Sequence, residues 1–123
     1  MNKAKFFERY VNRVAEGSRV LYMFSNAYVA TCLALIVGTS GLIVTEGDAS
    51  SQSNVQKSHG YLLDDGRLVM VDGKWSDLFS RGYNQLAPYD VIITYRRYFT
   101  KQVESQLKPG GTCYDPWDDA KLN

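Results

Sequence analysis

The chain has 123 residues and a formal net charge of +1, which suits one ordinary domain and argues against a dedicated nucleic-acid binder. Its two cysteines and single histidine do not make a disulfide framework or a metal cluster. The sequence also contains no GxGxxG loop, no HExxH motif and no nucleophile elbow. We therefore predict no catalytic residues, no cofactor, no metal site and no nucleic-acid partner.

Residues 1–19 form a basic leader with apolar residues at helical spacing. Phe6, Tyr10 and Val14 step by four, and Gly17 is a suitable place for a helix to end. This pattern predicts a cytoplasmic amphipathic arm that lies on an anionic membrane surface or packs against a cytoplasmic partner.

Residues 20–44 contain no charged side chain, although charged residues make up 22% of the protein. About 20 apolar residues span a hydrocarbon core of about 30 Å as a helix. The Val, Leu, Ile and Phe residues of the segment contribute roughly −3 to −7 kcal/mol to insertion. We predict a transmembrane helix over 20–44. The alternative is a buried helix over 20–37 that ends at Gly38, followed by a turn and a strand over 42–45.

The flanks of this segment predict its orientation. Basic residues are frequent before it, whereas Lys57 is the one basic residue among the twenty that follow. The positive-inside rule then places the protein in a bacterial inner membrane, with the N-terminus cytoplasmic and the C-terminal domain periplasmic. Arg19 and Tyr22 are expected to anchor the helix at the interface.

A stripe of small residues runs along the predicted membrane helix. Its members recur every four residues and are Asn26, Ala30, Ala34 and Gly38. Small side chains let a second helix approach closely, and an amide in lipid is costly unless it is paired. We predict a helix-helix packing seam that binds a copy of the chain or another membrane subunit.

Residues 45–60 are polar and indicate a flexible stalk, with His59 as a solvated residue near its end. Two Asp-Gly turn signals, at 65–66 and 72–73, then separate strand-like runs over 61–63, 67–71 and 74–75. These runs predict an antiparallel meander. Residues 76–82 predict one helical turn after it.

The segment over residues 89–108 carries both strand and helix patterns. We predict a strand over 90–98 and a short helix over 100–108, with a single helix as the alternative. Residues 61–108 then form a small extracytoplasmic α+β domain. Residues 109–123 form an acidic tail with a glycine hinge at 110–111. In this tail Tyr114 and Trp117 dock a partner, unless Trp117 covers its own domain. Cys113 is either free or linked to another subunit.

Together these elements predict an α+β fold class: an N-terminal amphipathic helix, one transmembrane helix and a small C-terminal α+β domain. The predicted function is a non-enzymatic, single-pass membrane subunit that helps assemble an envelope complex and has no small-molecule substrate. This layout is similar to accessory subunits of bacterial secretion and conjugation machines. The alternatives are a phage-type regulator of lysis or superinfection, and a soluble α+β interaction domain with residues 20–37 as its core helix.

Overall fold

A computed structural model of the chain describes residues 8–10, 12–75 and 86–123. Within these residues the strands are β1 (Arg19–Tyr22), β2 (Leu42–Glu46), β3 (Leu68–Val71), β4 (Tyr89–Ile93), β5 (Leu107–Asp115) and β6 (Ala120–Lys121). The helices are α1 (Ala27–Val37), α2 (Ala49–Asp64) and α3 (Lys101–Glu104), and a 3-10 turn covers Arg96–Tyr98.

The described strands form one sheet in the order β3-β2-β1-β4-β5-β6. The first five are mutually parallel, and β6 pairs antiparallel with β5 through Tyr114 and Lys121. The chain builds outwards from β1 to β3 and then returns to place β4 on the other side of β1. The order of the strands therefore reverses between β1 and β4, as in a doubly wound α/β sheet.

The charge-free segment folds as β1, α1 and β2 rather than as one long helix. Central strands of a parallel sheet are buried on both faces and read as nearly continuous apolar runs, which explains the missing charges. Asn26 ends the turn after β1 by accepting a hydrogen bond from the Val29 N–H at 3.1 Å, and Gly38 ends α1 with φ of 69°. At 11 residues α1 is about 17 Å long, roughly half of a hydrocarbon core.

The transmembrane prediction is therefore wrong. Across the part of the chain that the structure describes, every helix is too short or too polar to cross a bilayer. The alternative reading placed the helix end at Gly38 and a strand from Leu42 correctly, but it missed β1, which it merged with the helix.

The predicted small-residue seam lies inside this chain. Ala30 and Ala34 are fully buried and pack with the sheet, while Asn26 caps α1 and Gly38 ends it. Small residues let α1 approach its own sheet closely. The four-residue spacing of these small residues therefore reflects packing of α1 against strands and not against a second membrane helix.

The predicted α+β layout with an antiparallel meander is also wrong. The supposed stalk is mostly α2, which begins at the cap Asp48 and buries Val55 and Leu62 against the core. Residues 61–63, expected in a strand, complete this helix. β3 lies within the expected strand at 67–71, but it pairs in parallel with β2, because α2 returns the chain to the same sheet edge. The helical turn expected over 76–82 lies outside the described residues.

The C-terminal part of the chain completes the sheet. β4 ends at Ile93, earlier than the strand expected over 90–98, and α3 is a single turn capped by Thr100. The expected glycine hinge is part of β5, where Gly111 lies so close to its neighbours that an added Cβ would sit 2.9 Å from the Asp90 carbonyl oxygen. The missing side chain thus permits close backbone pairing.

Alternation along the strands divides the core into two layers. Val20 and Tyr22 face the layer covered by α1 and α2, whereas Leu21 and Met23 face the layer that contains Val103 of α3. The N-terminal arm joins the first layer through Tyr10, whose ring packs edge-on at 5.7 Å from that of Tyr22. Residues 1–7 and 11 of the predicted amphipathic arm lie outside the described residues.

Candidate ligand-binding site

The carboxyl ends of β1, β2, β3 and β4 meet at one edge of the sheet, on both sides of the point where strand order reverses. A cavity of about 700 Å³ opens there. In doubly wound sheets this crevice is where ligands bind, and the volume falls in the range of small-molecule sites. Its lining is Met23, Phe24, Ser25, Glu46, Lys74, Trp75, Tyr95, Arg97, Tyr98, Thr100, Gln102 and Val103.

The turn between β1 and α1 forms one wall of the cavity. The Thr45 hydroxyl donates a hydrogen bond to the Phe24 carbonyl at 3.2 Å, which ties this turn to β2. The Phe24 ring lies 4.4 Å from that of Tyr95 in an edge-on contact and 5.3 Å from that of Tyr22. The turn contains no glycine, so a ligand meets an aromatic side chain here rather than bare backbone.

Glu46 is the last residue of β2 and places a carboxylate on the cavity. The next residue is fixed from two sides: the Gly47 N–H donates to the Val71 carbonyl at 2.9 Å, and the Gln52 side-chain amide donates to the Gly47 carbonyl at 2.8 Å. Within the described residues Glu46 forms no salt bridge. Its oxygens are therefore available to accept hydrogen bonds from a ligand.

The 3-10 turn after β4 forms the opposite wall and is held in place by Asp115. One oxygen of this buried carboxylate accepts the Arg96 N–H at 2.9 Å, and the other accepts the Trp117 N–H at 2.9 Å. Asp115 thus joins the turn after β4 to the turn between β5 and β6. The side chain of Arg97 projects from this anchored turn to the cavity.

A second, shallower cavity of about 420 Å³ adjoins the first and shares Tyr95 and Arg97 with it. Its far side is Trp117, whose ring stacks on that of Tyr95 at 6.1 Å and 25°. The hairpin turn that carries Trp117 is held by Arg9, which donates to the Pro116 carbonyl at 2.8 Å.

The same hairpin is held by a charged cluster beside the arm. The Tyr114 hydroxyl donates to Asp119, and this hydrogen bond, with Arg9 and Arg13 nearby, holds the pKa of Asp119 below its usual value. Arg13 also lies over the Tyr114 ring, 4.4 Å from its centroid. These contacts fix the segment that carries Arg9 and Arg13 to the turn between β5 and β6.

The residues singled out from sequence occupy other places. Arg19 begins β1 and donates to the Leu86 carbonyl, and Tyr22 is buried in the core, so neither lies at a membrane interface. Tyr114 is buried, whereas Trp117 is half exposed and folds back on Tyr95. Docking of a partner by this tail stays a prediction.

The histidine and the cysteines lie apart from the cavity lining. His59 lies in the C-terminal part of α2, beside Ser58. This part of α2 runs away from the cavity, towards the edge of the sheet where β3 begins. Cys32 and Cys113 are both free thiols. Among the residues that the structure describes, no group of three His, Cys, Asp or Glu side chains is placed to hold a metal ion.

Sequence reasoning missed the residues that line the cavity. Glu46 carried the clearest signal, because it is the first acidic residue after a buried strand, about 28 positions after the start of a strand–helix–strand unit. The turn after β1 contains no glycine, so the glycine-rich motif that usually identifies such a unit in a sequence is missing. Lys74, Trp75 and Arg97 follow the ends of β3 and β4, and they could be grouped only once the strand order was known.

Strand order and cavity together define a protein of the doubly wound α/β class, and comparison with known proteins narrows the fold to that of methyltransferases. An O-methyltransferase from Bacillus cereus, solved in complex with S-adenosylhomocysteine, superposes with a TM-score of 0.71 at 15% identity, over 94% of this chain and 56% of that one. A solved protein-L-isoaspartate O-methyltransferase superposes with a TM-score of 0.62 at 23% identity, over 94% of this chain and 37% of that one. These likenesses show the Rossmann-like methyltransferase fold.

The family follows from the sequence itself. The family model described as protein-L-isoaspartate(D-aspartate) O-methyltransferase matches residues 2–121, and the chain belongs to that family. The protein-L-isoaspartate O-methyltransferase of Caenorhabditis elegans is 26% identical over 120 residues, which cover 91% of this chain and 52% of the relative. The chain thus spans about half the length of this curated relative.

This membership overturns the functional predictions made from sequence. The family is one of enzymes, so the predicted non-enzymatic envelope subunit is wrong, and so are its membrane partners and its lack of a small-molecule substrate. The predicted inner-membrane location fails with the transmembrane helix on which it rested. The error arose because an uncharged run was assigned to lipid when it belongs to the centre of a parallel sheet.

Proposed function

We propose that the chain binds S-adenosylmethionine in the first cavity and takes part in methylation of isoaspartyl carboxylates in proteins. Family membership supports the reaction class, and the complex of the Bacillus cereus enzyme supports the ligand class. The observation that carries the proposal is the position of the cavity, across the carboxyl ends of β1, β2 and β4 with Glu46 at its edge.

The lining residues fit this cofactor in two respects. An acidic residue at the end of the second strand is the usual acceptor for ribose hydroxyls in doubly wound sheets, and Glu46 is placed for that role. The lining is also rich in aromatic side chains, and a ring such as that of Trp75 can stack on a base or lie against a positively charged sulfur. The departure is Phe24, since its side chain occupies the turn where glycine would expose the backbone.

Methyl transfer to a carboxylate explains the composition of the cavity. When bound, S-adenosylmethionine supplies an electrophilic methyl group on a cationic sulfur. A carboxylate acceptor is already ionised at neutral pH, so this chain needs no general base to remove a proton. The lining contains neither histidine nor cysteine, in agreement with such chemistry. The residues of this chain would bind and orient the cofactor and the acceptor. The aromatic rings of the lining would exclude water from the site.

Calorimetric titration with S-adenosylhomocysteine tests the proposal, because the product ligand is stable and binds without turnover. The isosteric change Glu46→Gln should weaken binding about 10-fold or more, since it removes the charge from the acceptor of two hydroxyl hydrogen bonds. The matched control is Glu16→Gln, an exposed glutamate that precedes β1 at the opposite edge of the sheet. Binding too weak to detect at millimolar ligand, or equal loss in both variants, would contradict the proposal.

Methyl ester formation on an isoaspartyl peptide is the second measurement. Esterification should follow the same order, with the Glu16→Gln chain equal to the unchanged chain and the Glu46→Gln chain slower at subsaturating cofactor. A rate that is the same in all three would show that Glu46 does not contribute to cofactor binding.

A further inference from the structure

Arg97 differs from the other arginines that the structure describes. Arg9, Arg13, Arg19, Arg67 and Arg96 each have an oxygen partner on a carboxylate or a carbonyl. Arg97 has no such partner among the described residues. Its guanidinium instead lies over two rings, 5.3 Å from the centroid of Tyr95 and 4.9 Å from that of Tyr98. A cation held between aromatic faces keeps its N–H donors free for an outside acceptor.

The position of Arg97 points these donors at a ligand. Its side chain lines both cavities, at the wall between them. The turn below it is fixed, because Asp115 accepts the Arg96 N–H and the Tyr98 N–H donates to the Tyr95 carbonyl at 2.9 Å. The cation is therefore oriented before a ligand arrives, which lowers the entropy cost of binding.

The charges of the first cavity favour an anion beside Arg97. Among the described residues of its lining, Lys74 and Arg97 carry positive charges and Glu46 carries a negative charge. Glu46 ends β2, and β1 separates β2 from β4, so the two strands that lead to Glu46 and Arg97 lie about two strand spacings, or roughly 10 Å, apart. Lys74 follows β3, on the Glu46 side of the site, so among the described lining residues Arg97 is the positive charge on the β4 side.

We infer that Arg97 is a carboxylate-binding residue that orients an anionic group at the wall between the two cavities. This assignment rests on the proposed function and extends it. Guanidinium binds carboxylate through two parallel N–H···O bonds, a geometry that lysine lacks. Two carboxylates belong to the proposed reaction: one in the methionine part of the cofactor, the other on the isoaspartyl acceptor. Both present the same chemistry to Arg97.

Binding of ligand pairs that differ only in the carboxylate distinguishes the two sources. The first pair is S-adenosylhomocysteine and its decarboxylated analogue, measured by calorimetry. The second is a labelled isoaspartyl peptide and the same peptide with the free carboxyl as an amide, measured by fluorescence anisotropy. The variants are Arg97→Gln and Arg97→Lys, with Lys101→Gln as the control, because Lys101 is exposed four residues away and lines neither cavity.

The expected result is a loss of about 10- to 100-fold for Arg97→Gln toward the carboxylate member of one pair, with the other member unaffected. Loss confined to the nucleoside pair assigns Arg97 to the cofactor, and loss confined to the peptide pair assigns it to the acceptor. Arg97→Lys should recover part of the affinity, and Lys101→Gln should leave it unchanged.

The failures are separable. Equal affinity of the unchanged chain and Arg97→Gln for both members of both pairs would overturn the Arg97 assignment and leave cofactor binding intact. If the unchanged chain binds neither nucleoside, the proposed function fails, and the peptide pair alone then decides the role of Arg97. Far-ultraviolet circular dichroism of each variant confirms that the fold is retained.

Discussion

Leu33 offers a direct test of whether the uncharged segment is a protein core. It lies in the middle of α1, is fully buried and packs in the layer between that helix and the sheet. Replacing it by alanine removes three carbon groups, at a transfer cost of about 2.4 kcal/mol. An unfilled cavity on the order of 60 Å³ adds about 1.5 kcal/mol. We therefore expect Leu33→Ala to lower the free energy of unfolding by about 4 kcal/mol.

The matched control lies two residues further along the same helix. Leu35 is 47% exposed, so Leu35→Ala should change the free energy of unfolding by no more than about 0.5 kcal/mol. Urea titrations without detergent, followed by tryptophan fluorescence and circular dichroism, give both values. Equal effects of the two substitutions would refute the placement of α1 against the sheet, as would the absence of a cooperative transition.

Two further predictions concern pH. Burial raises the pKa of the Cys113 thiol to about 12, so above about pH 9 the thiol ionises in the unfolded chain before it does so in the folded one. The free energy of unfolding should therefore be unaffected by this group below about pH 9 and fall as the pH rises towards 12. In urea titrations from pH 8 to 11, Cys113→Ala should flatten the loss by up to about 1.4 kcal/mol per pH unit, and an unchanged slope would contradict this. Burial alone would raise the pKa of Asp90, but Lys108 and the Arg19 N–H outweigh it and lower the pKa. Asp90→Asn should therefore cost about 1 to 3 kcal/mol at pH 7, with the difference vanishing as the pH falls below 4 and Asp90 is protonated; a constant difference would exclude the ion pair as its cause.

Paired carboxylates, histidines and nucleophiles mark a catalytic site in a sequence when the reaction moves protons. Transfer of a methyl group to an ionised carboxylate moves none, so the proposed site can consist of Glu46, Arg97 and aromatic rings. Such residues are common on any surface, and their spacing in sequence, from 46 to 97, carries no motif.

Some local structure was accessible from sequence because it depends on neighbours along the chain. Glycine readily takes a positive φ, so the alternative interpretation of the uncharged segment, although not the predicted membrane helix, ended the helix at Gly38. The β-branched residues that end at Val71 likewise indicated β3 within two residues of its bounds. β5 was missed because Gly110 and Gly111 resemble a hinge. Only the approach of the Asp90 carbonyl to Gly111 shows why a strand needs glycine there.

The sequence by itself determined which segments avoid water, since hydrophobic free energy depends on composition and is not directional. It did not determine what surrounds them, because lipid and the centre of a parallel sheet select the same uncharged residues. The tertiary structure decided that question through parallel pairing of β1 with β2 and β4. The same pairing brought Glu46 and Arg97 to one edge, so the site exists only as a product of strand order.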